Sequence, residues 1–404
     1  MFMNAFTFSY TVTSAIGLCL CVRYQSKFSI RRRCDVPLLI NGIVFAGITL
    51  MVEMEDISND VFFWTTLSFV CISGVTSAVF QSGIFGLAGL LPPQYTQALM
   101  GGQGLAGMTI AAAAVISTYA VAGDSSQCGA PYSTVKDSTV AYFGFSSAVL
   151  FLCIFGYYYM ENLEFFKHHT RLLNKDERAL KPQEEGDEAA SLNQGLLANE
   201  AVIASDAKLP EEGEEDEPPQ DNVVTIERLR KVFASIKTYA LSVFFIFFIT
   251  LLVFPSTTVM IQSTTDSTNP IFNELWIPLS FLNFNVFDFA GRMLAGVKPY
   301  PFNPENIWFP TVLRTIFPVM FLFCNTSDSD GVVPNLLTND LWPVGIMALF
   351  ALSNGYLSSN LMMLGPTSVD PNHAEIAGTL MVFFLTFGLL SGSLCSFLLL
   401  PLTI

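Results

Sequence analysis

A chain of 404 residues that is 51% hydrophobic and only 13% charged does not read as a soluble enzyme, because soluble domains carry about 25% charged residues. It reads as a protein with many membrane spans. The net charge of −15 is concentrated in residues 183–220, which include EEGEEDEPPQ; the total therefore implies no basic partner, and nothing points to nucleic acid.

A crossing helix needs about 20 apolar residues. Ten stretches qualify, at about 2–22, 36–52, 61–91, 94–122, 137–160, 232–259, 271–297, 305–325, 340–364 and 372–401. They fall five and five around a hydrophilic loop. The expected organisation is an N-terminal bundle over 1–160, an acidic and largely disordered loop over 161–231, and a C-terminal bundle over 232–404. LEFFKHHTRLL and IERLRKVFASI, at the two ends of the loop, read as amphipathic helices on the membrane surface.

Basic residues assign the sides. Arg23, Lys27, Arg31, Arg32 and Arg33 follow the first span, and the central loop holds bases from Lys167 to Lys237. The segment EMEDISND and the loops at 260–270 and 325–340 hold none. The first and central loops are thus expected in the cytoplasm. This parity puts both termini outside and leaves Met1 almost in the membrane, so one span is expected to be missing before residue 2. Leu196-Leu197 lacks an acid four residues before it, so an intracellular sorting signal is not evident and the plasma membrane is the expected location. The eight cysteines show no CxxC or Cys/His metal spacing and read as free thiols. No catalytic constellation or cofactor motif appears.

Polar residues inside spans carry the functional signal, since a charge there costs about 2.5–3.5 kcal/mol on insertion scales. Gln81 lies within a span, followed by glycines at 83, 86 and 89, which read as helix-packing positions. Residues 281–297, FLNFNVFDFAGRMLAGV, hold Asp288 and Arg292 in an otherwise oily run. They are four apart and share a helical face with Phe281 and Asn285. A ring, an amide, a carboxylate and a guanidinium in one stripe suit a polar solute with a flat ring. The plainer reading has Arg292 snorkel to headgroups, which explains the deeper Asp288 poorly. Arg314 lies mid-span in NIWFPTVLRTIFPVM without a nameable partner. Glu375 opens the last span; it reads either as a gate against a base of the first loop or as an ordinary N-terminal helix acid.

FGLAGLLPPQYTQALMGGQGLAG, FNVFDFAGRMLAG, ALSNGYLSSNLMMLGP and HAEIAGTLMVFFLTFGLLSG, in this order along the chain, resemble signatures of the equilibrative nucleoside transporter family. The resemblance runs from near residue 2 to the C-terminus. It implies an all-α polytopic membrane protein with a major-facilitator-like two-bundle architecture. The family has eleven spans, so the ten here would be its spans two to eleven. The resemblance also implies facilitated, uncoupled transport of nucleosides such as adenosine and uridine by alternating access, with no cofactor, by a monomer in the lipid bilayer. Carried over by motif, Gln81 would contact the nucleobase, and Asp288 and Arg292 the ribose. Asn285, Phe281, Ser77 and Phe6 would line the same cavity. A nucleobase or organic-cation carrier on the same fold, and a truncated non-transporting relative, remain the alternatives.

Overall fold

The computed structural model describes residues 2–54, 58–123, 132–170, 225–263, 270–297, 304–324 and 335–403. Most of the central loop lies outside the described residues.

Helices fill every one of the ten apolar stretches. They are α1 (Phe2–Tyr24), α2 (Ile30–Glu53), α3 (Asn59–Leu90), α4 (Pro93–Gly123) and α5 (Tyr132–Asn162). The second half holds α6 (Ile226–Val253), α7 (Pro270–Leu294), α8 (Trp308–Leu313), α9 (Ile316–Leu322), α10 (Leu341–Thr367) and α11 (Ala374–Thr403). Among the described residues, seven helices are long and apolar enough to cross a membrane. Their outer surfaces fit that role. Phe145 is 73% exposed, Phe155 72% and Ile116 69%, and soluble monomers rarely leave broad apolar faces in water.

Three local departures from the expected boundaries have physical causes. α2 starts at Ile30, because the Ser29 hydroxyl accepts from the Arg32 amide at 3.4 Å and caps the helix there. The basic run is therefore helical rather than loop. α6 starts at Ile226, so the amphipathic stretch expected on the membrane surface is continuous with the span that follows it. The apolar stretch at 305–325 is two helices. Pro318 lacks the amide hydrogen for a bond to Arg314, and its ring crowds the Arg314 carbonyl. The Phe317 amide takes that carbonyl at 3.1 Å instead, and the helix breaks at Arg314.

Residues 1–159 and 223–404 form one compact body, and 160–222 form a second unit, of which Glu164–His169 is a short helix. Within the larger body α1 and α2 pack on α3, α6 packs on α11, and α7 packs on α10. The two halves meet where α3 lies on α11 and where α4 lies on α7. One apolar cluster holds both together, with Leu18, Phe85 and Met100 from the first half and Ile236, Leu361 and Met381 from the second. Two glycines show how close these crossings are. A Cβ on Gly378 would collide with the Phe85 carbonyl, and one on Gly355 with the Asp288 carbonyl. Only a residue without a side chain lets the backbones approach so closely.

The contacts between halves lie toward one end. That end carries the α1–α2 turn with exposed Arg23, Lys27, Arg31 and Arg32, and we call it the basic end. Gly89 near the end of α3 meets the Ala374 carbonyl at the start of α11. Gln97 near the start of α4 donates to the Met293 carbonyl at 3.0 Å, near the end of α7.

Candidate functional site

α7 delivers its charged pair into the interior. Asp288 is 5% exposed and Arg292 8%. Arg292 Nε donates to Asp288 Oδ2 at 2.7 Å, as the four-residue spacing requires. Snorkelling to the headgroups is thereby excluded: the guanidinium turns inward. Its Nη1 donates to the Met100 carbonyl at 3.0 Å and reaches Gln103 Oε1 at 3.4 Å, both on α4. Gly104 makes room for this, since a Cβ there would stand 2.8 Å from Arg292 Cδ.

The other carboxylate oxygen is engaged from α10. Asn354 Nδ2 donates to Asp288 Oδ1 at 2.7 Å. Asn354 Oδ1 in turn takes the Thr250 hydroxyl of α6 at 2.8 Å and lies 3.5 Å from Arg314 Nη2. Arg314, whose partner the sequence left unnamed, is 2% exposed. It donates to the Phe350 carbonyl at 2.9 Å, to the Ser353 hydroxyl, and to Thr250 Oγ1 at 3.0 Å. Its guanidinium carbon stands 4.6 Å from the Phe350 ring centroid, a cation–π geometry that offsets part of the desolvation cost. The described network thus holds two formal positive charges and one negative.

The remaining sequence-derived residues fall on several helices. Asn285 donates to the Phe281 carbonyl at 2.8 Å, and its Oδ1 occupies the space above Gly107. Phe281 meets Phe254 edge-on, with ring centroids 5.0 Å apart. Phe6 of α1 lies 5.6 Å from Phe63 of α3. Gln81 and Ser77 are half-buried on α3, and neither side chain hydrogen-bonds to a described residue. The structure therefore joins Asn285, Asp288 and Arg292 on one helix face against α4, and leaves Gln81, Ser77 and Phe6 on the other half. An amide within a span that bonds to no described residue is open to water or a ligand.

Glu375 does meet a base of the first turn. Arg33 Nη2 and Glu375 Oε1 form an ion pair, with Arg33 3% exposed. A cavity of about 70 Å³ lies near the basic end, lined by Pro93, Ile307, Tyr356, Asn360 and Met363 among others. Small-molecule sites run to about 300–1,000 Å³, so this one is too small for a solute of the expected kind.

The sequence model of the nucleoside transporter family matches residues 67–400. The chain belongs to that family. Equilibrative nucleoside transporter 1 of Rattus norvegicus is 33% identical over 406 residues, which cover 99% of this chain and 82% of the relative. Equilibrative nucleoside transporter 1 of Homo sapiens is 32% identical over 367 residues, 88% of this chain and 73% of the relative. A crystal structure of the E. coli fucose:proton symporter matches the whole fold with a TM-score of 0.53 at 12% identity, covering 100% of this chain and 85% of that one. That likeness is one of fold alone, and the fold is major-facilitator-like. This nucleoside transporter family member is an integral membrane carrier and not an enzyme.

Reading charges alone missed Thr250, Ser353 and Asn354. A signal for them was present. ALSNGYLSSN places Ser353, Asn354 and further polar residues inside one span, and FFIFFITLLV places Thr250 inside another; such groups also need partners there.

Proposed function

We propose that the protein carries nucleosides, adenosine and uridine among them, down their gradient by alternating access and without ion coupling. The observation that carries this reading is the buried Asp288–Arg292 pair, with both carboxylate oxygens already engaged, in a member of this family. A ribose offers vicinal hydroxyls that donate and accept at once. A carboxylate accepts from them and a guanidinium donates to them. Gln81 is assigned to the nucleobase edge, and its unbonded amide supports that. Ser77, Asn285, Phe281 and Phe6 are assigned to the cavity wall, where aromatic rings stack on the base.

All ten helical stretches are assigned as spans, with the basic end in the cytoplasm. The halves are fastened at that end by Arg33–Glu375, so the form described is closed to the cytoplasm. The other half of the cycle opens this end by rocking one bundle on the other. The protein is assigned to the plasma membrane and to a monomer. An organic cation fits the site less well, because Asp288 is shared between two donors and a second guanidinium stands behind one of them.

The test is uptake of radiolabelled adenosine and uridine by proteoliposomes that contain the chain. Saturable uptake that stops at equal concentrations, and that a proton gradient does not drive further, is expected. A correctly inserted chain that takes up neither would end the nucleoside reading.

A further inference from the structure

Behind the candidate carboxylate stands a buried guanidinium, 2% exposed. Arg314 sits at the break between α8 and α9, and Thr250, Phe350, Ser353 and Asn354 surround it. Among the described residues it forms no ion pair, and its Nε has no hydrogen-bond partner. Its link to a negative charge runs through one side chain, Asn354.

That link has a direction. A guanidinium only donates and a carboxylate only accepts. An amide between them therefore has one workable orientation, with Oδ1 toward Arg314 and Nδ2 toward Asp288. The contacts follow that rule: Asn354 Oδ1 lies 3.5 Å from Arg314 Nη2, and Nδ2 lies 2.7 Å from Asp288 Oδ1. The Thr250 hydroxyl accepts from Arg314, and its one proton is shared between Asn354 Oδ1 and the Ile246 carbonyl, each at 2.8 Å. Asp288 is then held by two donors from different directions, Arg292 Nε and Asn354 Nδ2. A carboxylate bonded at one oxygen can swing about its terminal torsion, whose well is broad. One bonded at both oxygens by groups on separate helices cannot.

The backbone is arranged to permit this. Gly355, next to Asn354, lies against the Asp288 carbonyl, and a Cβ there would also stand 2.9 Å from the Arg292 amide nitrogen. This crossing brings α10 close enough for a side chain as short as asparagine to reach Asp288.

We propose that Arg314 is a positioning residue: acting through Asn354, it fixes the aim of the Asp288 carboxylate and thereby sets how strictly the site demands hydroxyls on its sugar. This rests on the reading of Asp288 as the ribose contact. An arginine that merely ties α6, α9 and α10 together would, when removed, weaken all ligands alike. A positioning arginine, when removed, weakens only ligands that use the carboxylate.

The experiment compares inhibition of labelled adenosine uptake by unlabelled adenosine and by 2′,3′-dideoxyadenosine, in proteoliposomes with the full chain. Two variants are used. Arg314→Gln removes the guanidinium. Asn354→Asp keeps an acceptor for Arg314 and balances two guanidiniums with two carboxylates, but turns an acceptor toward Asp288. It decides alone if Arg314→Gln is not recovered in folded form. Hydrogen bonds to a charged group predict that the unaltered protein prefers adenosine by roughly ten- to hundredfold. In both variants the preference is expected to fall below about threefold, with the dideoxy affinity nearly unchanged. Variants that lose affinity for both ligands in proportion, keeping the ratio, would overturn the inference and leave Arg314 structural. A parent protein that takes up adenosine yet shows no preference would instead overturn the ribose role of Asp288, and this inference with it.

Discussion

Arg33 in the first turn of α2 and Glu375 in the first turn of α11 are ion-paired across 342 residues of chain. The pair joins the two halves at the basic end, and it is only half satisfied. Arg33 Nε and Nη1 are buried without a hydrogen-bond partner among the described residues. If this end is closed as proposed, it holds a charge that gains when the end opens to water.

Glu375→Ala should therefore favour the open form. Losing a partner of a buried charge costs about 3–5 kcal/mol. Partial exposure of the Glu375 side chain, at 18%, argues for about 2 kcal/mol, roughly a thirtyfold shift. Cys34, adjacent to Arg33 and 0% exposed, reports it. In a variant with Cys34 as the sole cysteine, a membrane-permeant maleimide should label faster once Glu375 is removed. An unchanged rate would mean that the pair does not hold the end shut.

Asp288→Asn keeps the shape but removes the charge that binds Arg292. Loss of a charge-assisted hydrogen bond is worth about 1.5–3 kcal/mol, so the apparent adenosine affinity should fall roughly ten- to hundredfold. Competition uptake measures this. Intact affinity in the variant would remove Asp288 from the site.

Gln81→Leu separates binding from folding. The Gln81 amide bonds to no described residue, so its loss should change stability by no more than about 0.5 kcal/mol. Nucleoside affinity should nonetheless drop. Thermal unfolding in detergent and uptake, measured on one preparation, give both answers. A large loss of stability with unchanged affinity would make Gln81 a packing residue.

Gly355→Ala should be costly and Gly102→Ala neutral. A methyl group at Gly355 meets backbone atoms of Asp288 and Arg292, whereas nothing lies within 4 Å of one at Gly102. Overpacking a tight crossing costs about 1–3 kcal/mol. The midpoint of thermal unfolding should fall for the first variant only; equal midpoints would show that α7 and α10 can separate without penalty.

How far these features can be read from the sequence follows from what each depends on. Asp288 and Arg292 stand out because a charge in an oily run is expensive wherever the run ends up, and their spacing alone pairs them. The Arg33–Glu375 pairing was half legible. Sidedness puts Glu375 and the first-loop bases on one face, but only the cap at Ser29 shows that Arg33, rather than Arg31 or Arg32, turns inward. The break at Arg314 was hidden because hydropathy stays high across it, although Pro318 marks it. Asn354 was hidden for another reason. Its partners lie 66 residues away at Asp288 and 40 away at Arg314, and no periodicity within one helix encodes which distant helix will stand beside it.

The self-contained pairing at Asp288 also bears on the return journey. A carrier that equalises concentrations must reset unloaded as readily as it crosses loaded, or net flux stalls. An exposed lone charge in the vacated site would draw in water or an ion and hinder that step. Here Arg292 and Asn354 stand in for the absent solute. On the proposed reading, the unloaded carrier keeps its own counterweight at this carboxylate.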